Sequence, residues 1–253
     1  MRLRSQRDFD AALSLMETGR SDTEIAHLIG IPRPTISAWR HGRGSTYHRR
    51  LQRANRAWRP TSPEAYAYLL GVYLGDGCIV VSGTGAASLV IVLDARYPGV
   101  VGEVAGVIAE LFPDTPVRLN ARPGAKAVRV HHPALPFAFP QHAQVPKHLR
   151  EIVLTDWQSR LTKLYPRQLL RGLIHSDGCR SINRFKTKLP SGSVAHYEYP
   201  RYFFSNLSDD IRRIFCSHCE LVGIRWTQSN PRNISVSHRD SVALLDKFVG
   251  PKY

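Results

Sequence analysis

Two stretches of this 253-residue chain are near copies of each other: Leu69-Leu70-Gly71-Val72-Tyr73-Leu74-Gly75-Asp76-Gly77 and Leu170-Arg171-Gly172-Leu173-Ile174-His175-Ser176-Asp177-Gly178. Each is an apolar helical run with small residues four apart, ending in Asp-Gly. The two Asp residues stand 101 positions apart, about the length of one small α/β module. Such a chain is expected to fold as two copies of one unit, each delivering a carboxylate to a shared place. Gly71 and Gly75, and likewise Gly172 and Ser176, share a helix face because residues i and i+4 are neighbours on a helix. Small residues on such a face let two backbones approach until they nearly touch. Packed side by side and parallel, the helices set Asp76 and Asp177 together at one end. Two helix C-termini already make that end partly negative. The carboxylates there repel unless a cation lies between them, and hard carboxylate oxygen suits Mg²⁺ or its relative Mn²⁺.

The pair resembles the two signature motifs of the LAGLIDADG homing endonuclease family, closely over 170–178 and more loosely over 69–77, where the glycine and the final Asp-Gly remain. The resemblance implies tandem αββαββα repeats related by a pseudo-twofold, an α+β fold. The motif helices then form the interface between halves, and two antiparallel sheets form a saddle over double-stranded DNA. It further implies metal-assisted phosphodiester hydrolysis at a pseudo-palindromic site, one cut per half-site, by a monomer. Asp76 and Asp177, with Gly75 and Ser176 before them, are the implied metal ligands. The family places basic side chains near each metal; Arg118 and Arg225, at matching places on the third strands, are the candidates, with Lys126 and Lys186 as alternatives. The sheets offer Arg118, Asn120 and Arg129 in the first half, and Arg180, Asn183, Arg201, Arg225 and Gln228 in the second. In the major groove Arg pairs with guanine, and Asn or Gln with adenine.

Composition agrees with a phosphate-binding protein. The formal net charge is +15 and 43% of residues are hydrophobic, a globular composition with the charge that neutralises a polyanion. Ribosomal and membrane-surface proteins share that bias, so charge alone does not name the partner. The N-terminus has no apolar signal core and no run reaches transmembrane length, from which a cytoplasmic, nucleoid-associated protein is expected. The four cysteines do not make a disulfide framework in a chain of this length. Cys78 and Cys179, each following an Asp-Gly, are expected as small buried residues at the start of strands. Cys216 and Cys219 fall in the helical pattern of Ile211, Ile214, Phe215 and Leu221 and read as core.

Four segments follow from the pattern: 1–42, a basic linker 43–62, and repeats at 63–150 and 151–253. In the first, Leu13 and Leu15 mark a short amphipathic helix ending near Gly19. Ser21-Asp22-Thr23-Glu24 is a capping box. The next helix carries Ile25, Ala26, Leu28 and Ile29, stops at Gly30, and is followed by Arg33-Pro34-Thr35-Ile36-Ser37-Ala38-Trp39-Arg40. With Ile36 and Trp39 turned onto Ile25 and Ile29, this resembles a bacterial helix-turn-helix, a small all-α domain. Its second helix would enter the major groove with Arg33, Ser37 and Arg40 outward. Between Gly42 and Pro63 there is no acidic residue, but Arg43, Arg49, Arg50, Arg53, Arg56 and Arg59 are present, a tether suited to tracking phosphates.

Each repeat reads helix, two strands, helix, two strands, helix. In the second, strands are expected at 179–185 and 199–204 around a 186–196 loop, a helix at 209–222 capped by Ser208, strands at 224–227 and 234–236, and a helix at 242–249. Two features depart from the usual pattern of homing endonucleases. It begins with its own Met and lacks an intein-like Cys or Ser start or His-Asn end, from which a free-standing gene product is expected. Its helix-turn-helix joined to LAGLIDADG repeats also resembles, in reversed order, bacterial sporulation regulators whose repeats have lost the catalytic acids. Both acids are present here. Cleavage of DNA is therefore the leading expectation, and sequence-specific regulation without cleavage the alternative; an RNA-binding, maturase-like role would use the same basic surfaces.

Overall fold

The computed structural model describes residues 6–41, 57–81, 86–250 and 252–253, which include ten α-helices, one 3₁₀ turn and eight strands. They group into two compact units, one of Met1–Arg59, Val80–Ser88 and His131–Ala138, the other of Pro60–Ile79, Leu89–Val130 and Phe139–Tyr253.

In the first unit, helices α1 (Gln6–Glu17), α2 (Asp22–Ile29) and α3 (Arg33–Arg40) enclose Phe9, Ala12, Ile25, Ile31, Ile36 and Trp39. The rings of Phe9 and Trp39 meet edge to face at 5.2 Å. The capping box is formed: Ser21 N donates to Glu24 Oε2 at 2.8 Å, and Glu24 N donates to Ser21 Oγ at 3.3 Å. At the other end of α2, Gly30 takes φ +65, the left-handed conformation glycine adopts cheaply. On α1 the spacing of Phe9, Ala12 and Met16 sets the buried face, so Leu13 stays 37% exposed and Leu15 is only partly covered. The two leucines expected to mark the apolar face lie at its margin.

The remaining elements repeat one order. The first copy is α4 (Pro63–Asp76), β1 (Gly77–Val81), β2 (Ala87–Asp94), α5 (Pro98–Leu111), β3 (Arg118–Arg122), β4 (Ala125–His131) and the single turn α6 (Leu135–Ala138). A connecting helix, α7 (Asp156–Leu164), precedes the second copy: α8 (Pro166–Asp177), β5 (Gly178–Lys188), β6 (Val194–Ser205), α9 (Asp209–Leu221), β7 (Thr227–Asn230), β8 (Asn233–Val236) and α10 (Arg239–Asp246). The sheets are four-stranded and equivalent in order, β1-β2-β4-β3 and β5-β6-β8-β7. This is the α+β architecture of tandem repeats expected from the duplicated motif.

The motif helices α4 and α8 are the pivot. Every residue from Tyr66 to Leu74 is buried, so α4 has no solvent face and must be covered all round. Gly71 and Gly172 lie against each other. A Cβ on Gly172 would strike the Tyr68 carbonyl and come within 2.9 Å of Val72 N; on Gly71 it would strike the Leu169 carbonyl and reach 2.8 Å from Leu173 N. One turn on, Gly75 faces Ser176. Polar contacts fix the register of this close pair. Burial pushes the His175 imidazole down to about 4, so it is neutral at pH 7. Its Nε2 donates to the Val249 carbonyl at 3.0 Å, which leaves Nδ1 to accept from the Tyr68 hydroxyl at 3.0 Å. Arg171 spreads its guanidinium over the Tyr68 ring at 5.1 Å and pairs with Glu103.

Several local expectations are corrected. The 186–196 segment is mostly strand, not loop: β5 and β6 pair as far as Lys188 with Val194, with only 189–193 between them. Cross-strand contact of Phe185 with Tyr197 carries the ladder through otherwise polar sequence. The third strand of the second sheet begins at Thr227, because Gly223 (φ +74) and Ile224 finish the cap of α9, Ile224 N donating to the Cys219 carbonyl at 2.8 Å. The last helix starts at Arg239 and ends at Asp246, three residues before the expected 249. Cys78 and Cys179 are exposed, since strand alternation turns their neighbours Gly77 and Gly178 inward. Cys216 and Cys219 are buried in α9 as expected. Among the described residues no helix is long and apolar enough to cross a membrane.

Candidate functional site

The contact of Gly71 with Gly172 brings the C-termini of α4 and α8 side by side, and with them Asp76 and Asp177. A Cβ added to Gly75 would lie 2.9 Å from Asp177 Oδ2, so only glycine there lets the second carboxylate come so near the first helix. Burial, and then the charge of Asp177, raise the Asp76 carboxyl to about 6. Burial also raises Asp177, against the opposing hydrogen bond from Asn206 Nδ2 at 2.6 Å and the charges of Lys147 and Lys252.

Two lysines complete the centre. Lys147 Nζ donates to the carbonyls of Tyr73 (2.5 Å), Leu74 (2.9 Å) and Gly75 (3.1 Å), the last turn of α4. Lys252 Nζ donates to the carbonyls of Gly178 (2.6 Å) and Ser176 (3.3 Å) at the end of α8. Each ammonium thus answers the negative end of one motif helix. Burial brings Lys147 down to about 8 against the pull of both carboxylates, and lowers Lys252 as well. Lys147 is mostly cationic at pH 7, and both lysines pull against the rise of the paired carboxyls. An open cavity of about 460 Å³, lined by Gly75, Lys147, Arg150, Asp177 and Asn206 among others, leads to this point.

The donor set fits a hard divalent cation. Among the described residues no three His, Cys, Asp or Glu side chains converge, so no all-protein cage exists. Mg²⁺ does not need one: it keeps much of its water shell and is held through one or two carboxylates plus substrate phosphate. The raised carboxyl of Asp76 carries a sign that can be checked. A carboxyl that holds its proton more tightly folded than unfolded lowers stability as it ionises, so Asp76 takes stability away from the metal-free protein as pH rises from about 4 to about 6. Asp76→Asn should therefore raise the Tm of metal-free protein at pH 7.5, and the gain should shrink as pH falls from 6 to 4. An unchanged Tm at pH 7.5 would show that Asp76 carries no such strain.

Of the six residues expected at the reaction centre, the structure brings together only Asp76 and Asp177. Lys186 stands nine residues beyond Asp177 along an extended strand, roughly 30 Å away. Lys126 pairs with Ala121 on the face that carries buried Val128. Arg225 lies just before β7, not on it, against the His238 ring. Arg118 is on β3, paired with Arg129. Lys147, Lys252 and Asn206 were missed, although the sequence holds a signal for the lysines. Pro146-Lys147-His148 and Pro251-Lys252-Tyr253 form a second duplicated element, 105 positions apart, close to the 101 that separate the Asp-Gly pair.

The sheets sort the other candidates by face. Side chains directly paired across strands point the same way, and alternate residues point oppositely. In the first sheet Arg118, Asn120 and Arg129 share the face opposite Val128. In the second, Ser181, Asn183 and Arg201 share the face opposite the buried Tyr202 and Phe204. The Nε atoms of Arg129 and Arg201 are buried without a hydrogen-bond partner, donors that the fold itself leaves unmet. Arg180 and Gln228 belong to the other side. Arg180 is held by Asp246 at 2.8 and 3.0 Å, and Gln228 pairs with buried Ile234. In the N-terminal unit Arg33 is exposed, whereas Arg40 is a strut from α3 to α2, donating to Asp22 Oδ1 and to the Arg20 carbonyl, each at 2.6 Å. Ser37 also bonds Asp22. Arg59 donates to the Trp58 carbonyl at 2.7 Å, and Arg43, Arg49, Arg50, Arg53 and Arg56 lie outside the described residues.

No family model matches the sequence. No curated protein matches it either. Solved structures do match in fold. The homing endonuclease I-DmoI, in complex with DNA and Mn, superposes with a TM-score of 0.51 at 13% identity over 76% of this chain and 99% of its own. Mesophilic variants of I-DmoI give a TM-score of 0.51 at 13% identity over 74% and 96%. The LAGLIDADG meganuclease I-AabMI bound to uncleaved DNA lies further off, with a TM-score of 0.46 at 13% identity over 72% and 82%. At this identity the likeness is one of fold: the two-repeat architecture of LAGLIDADG homing endonucleases is the architecture of this chain.

Proposed function

We propose that this chain, built on the LAGLIDADG fold, is a sequence-specific endonuclease of double-stranded DNA that depends on Mg²⁺ or Mn²⁺. The observation that carries the reading is the retention of both carboxylates at the joined ends of α4 and α8, with a lysine beside each. A fold kept only for binding has no use for two half-buried acids whose ionisation opposes folding. A bound divalent cation would supply an activated water and neutralise charge on the scissile phosphate. Asp76 and Asp177 hold that charge in place, and Asn206 orients Asp177 through its amide. Lys147 and Lys252, held by helix-end carbonyls, would supply positive charge beside the carboxylates as negative charge builds up on the phosphate. Asn120 and Arg129 in one half, and Asn183 and Arg201 in the other, face the duplex from their sheets.

The test is cleavage of a randomised duplex library with Mg²⁺, Mn²⁺ or chelator. Recovery of one cut sequence, lost in chelator, is the expected result. A protein that binds one duplex tightly yet cuts nothing with any divalent ion would be a DNA-binding regulator, and the endonuclease reading would be wrong.

The N-terminal unit and tether serve affinity in this reading. Deleting residues 1–60 removes the helical unit and all six tether arginines, Arg43 through Arg59. The slope of log K against log salt should flatten by up to about five units, because each phosphate contact contributes about 0.9. Cleavage should persist at high protein concentration. Unchanged affinity would assign the N-terminal unit a task other than DNA.

A further inference from the structure

The β5–β6 ribbon is far longer than its counterpart in the first repeat, with strands of 11 and 12 residues against 5 and 8. Its outer part carries three aromatic rings that contact one another. Phe185 and Tyr197 stack at 5.2 Å, Tyr197 and Tyr199 at 6.0 Å, and Phe185 and Tyr199 at 6.0 Å. Pairing of Phe185 with Tyr197 and of Asn183 with Tyr199 puts all three rings on the face of Ser181, Asn183 and Arg201. Phe185 remains 43% exposed and Tyr199 41%. A core side chain would not be left so open.

Charge indicates what covers them. On the ring face Arg201, whose Nε is buried without a hydrogen-bond partner, stands with Asn183 and no acid of either strand; Arg180, Arg184, Lys186 and Lys188 stand on the opposite face with Glu198, which Arg184 holds. An unmet guanidinium donor and an amide with no acid beside them favour a polyanion, and the same sheet face runs back to Cys179 at the start of β5, next to Asp177. A two-stranded ribbon has the dimensions of the DNA major groove. Inside that groove the one apolar group on a base edge is the C5-methyl of thymine, which accepts contact from aromatic or aliphatic carbon.

We propose that Phe185, Tyr197 and Tyr199 form an apolar reader of thymine methyl groups in the major groove. The proposal rests on the DNA-binding reading above and specifies what one half of the surface recognises. The rows of Tyr199 and Phe185 lie five and seven residues past Gly178, roughly 17 and 23 Å along the strand. At about 3.4 Å per base pair they reach roughly five to seven pairs from the cut. Strands β1 and β2 carry no aromatic residue, so the preference belongs to one half-site, and the target departs from a palindrome there.

The experiment alters the DNA first and the protein second. Duplexes recovered from a randomised library are resynthesised with deoxyuridine for thymine at the outer positions of each half-site, and affinities are measured. One buried methyl is worth about fourfold in affinity, so each replacement in the half-site under β5–β6 should weaken binding roughly fourfold. The other half-site should not respond, and Phe185→Ala should abolish the difference between thymine and deoxyuridine. Equal affinity for both bases, or recovered sites without thymine at these positions, would overturn the proposal. The rings would then only pin the two strands together, and the endonuclease reading would stand. Tighter binding of single strands than of duplex would likewise overturn it in favour of base stacking. If no duplex binds at all, the DNA reading falls, and this inference with it.

Discussion

Asp76→Asn and Asp177→Asn should each abolish strand cleavage, by roughly 10³-fold or more, while DNA affinity stays intact or rises. Asparagine keeps the shape of the side chain and can still accept the hydrogen bond that Asn206 gives to position 177. What it removes is the anionic oxygen that a hard divalent cation requires. The same change takes a negative charge away from the place where phosphates must lie, and neither residue is placed on a sheet face that could read bases. Binding of Mn²⁺ to the protein–DNA complex should therefore fall in parallel with cleavage. Cutting by either variant at the wild-type rate would remove that carboxylate from the mechanism and shift the chemistry onto the lysines and Arg150.

The duplicated motif made the architecture legible because close packing needs small residues at fixed spacing, and fixed spacing survives in sequence. Gly71, Gly172 and the two Asp-Gly pairs give the interface, the pseudo-twofold and the acidic centre together. Site residues on strands were harder to read, because a shift of one residue moves a side chain to the opposite face. Arg180 and Gln228 illustrate this: both look like readers of bases, yet register turns them toward Asp246 and Ile234. Lys147 and Lys252 were obscured for another reason. They act through the ends of helices more than 70 residues earlier in sequence, a distance over which local pattern says nothing. Only their shared Pro-Lys-ring context, repeated at nearly the spacing of the acids, marks them. The ribbon tip was misread as loop because its polar residues mask aromatic pairs that become visible only when the strands are aligned.

Gly172→Leu should unfold the chain or separate its halves, and Gly71→Leu should do nearly as much. Overpacking a filled core commonly costs about 1–3 kcal/mol, because neighbouring side chains can shift aside. That relief is absent here. The atoms facing a new Cβ on Gly172 are the Tyr68 carbonyl, Val72 N and Gly71 Cα, and those facing Gly71 are Leu169 O, Leu173 N and Gly172 C, all of them backbone. The helices would have to move apart, which would expose the continuous apolar run of α4, draw Tyr68 from His175, and separate the two carboxylates. Loss of stability and loss of cleavage should therefore arrive together, unlike in the Asp variants. Gly102→Ala in α5 provides the control. Nothing lies within 4 Å of a Cβ there, so the change should be neutral or stabilise by about 0.5–1 kcal/mol through helix propensity alone. Thermal unfolding of the three variants separates packing from propensity. A Gly172→Leu protein that melts with the wild type would show that α4 and α8 do not meet at these glycines, and the shared acidic centre would lose its physical basis.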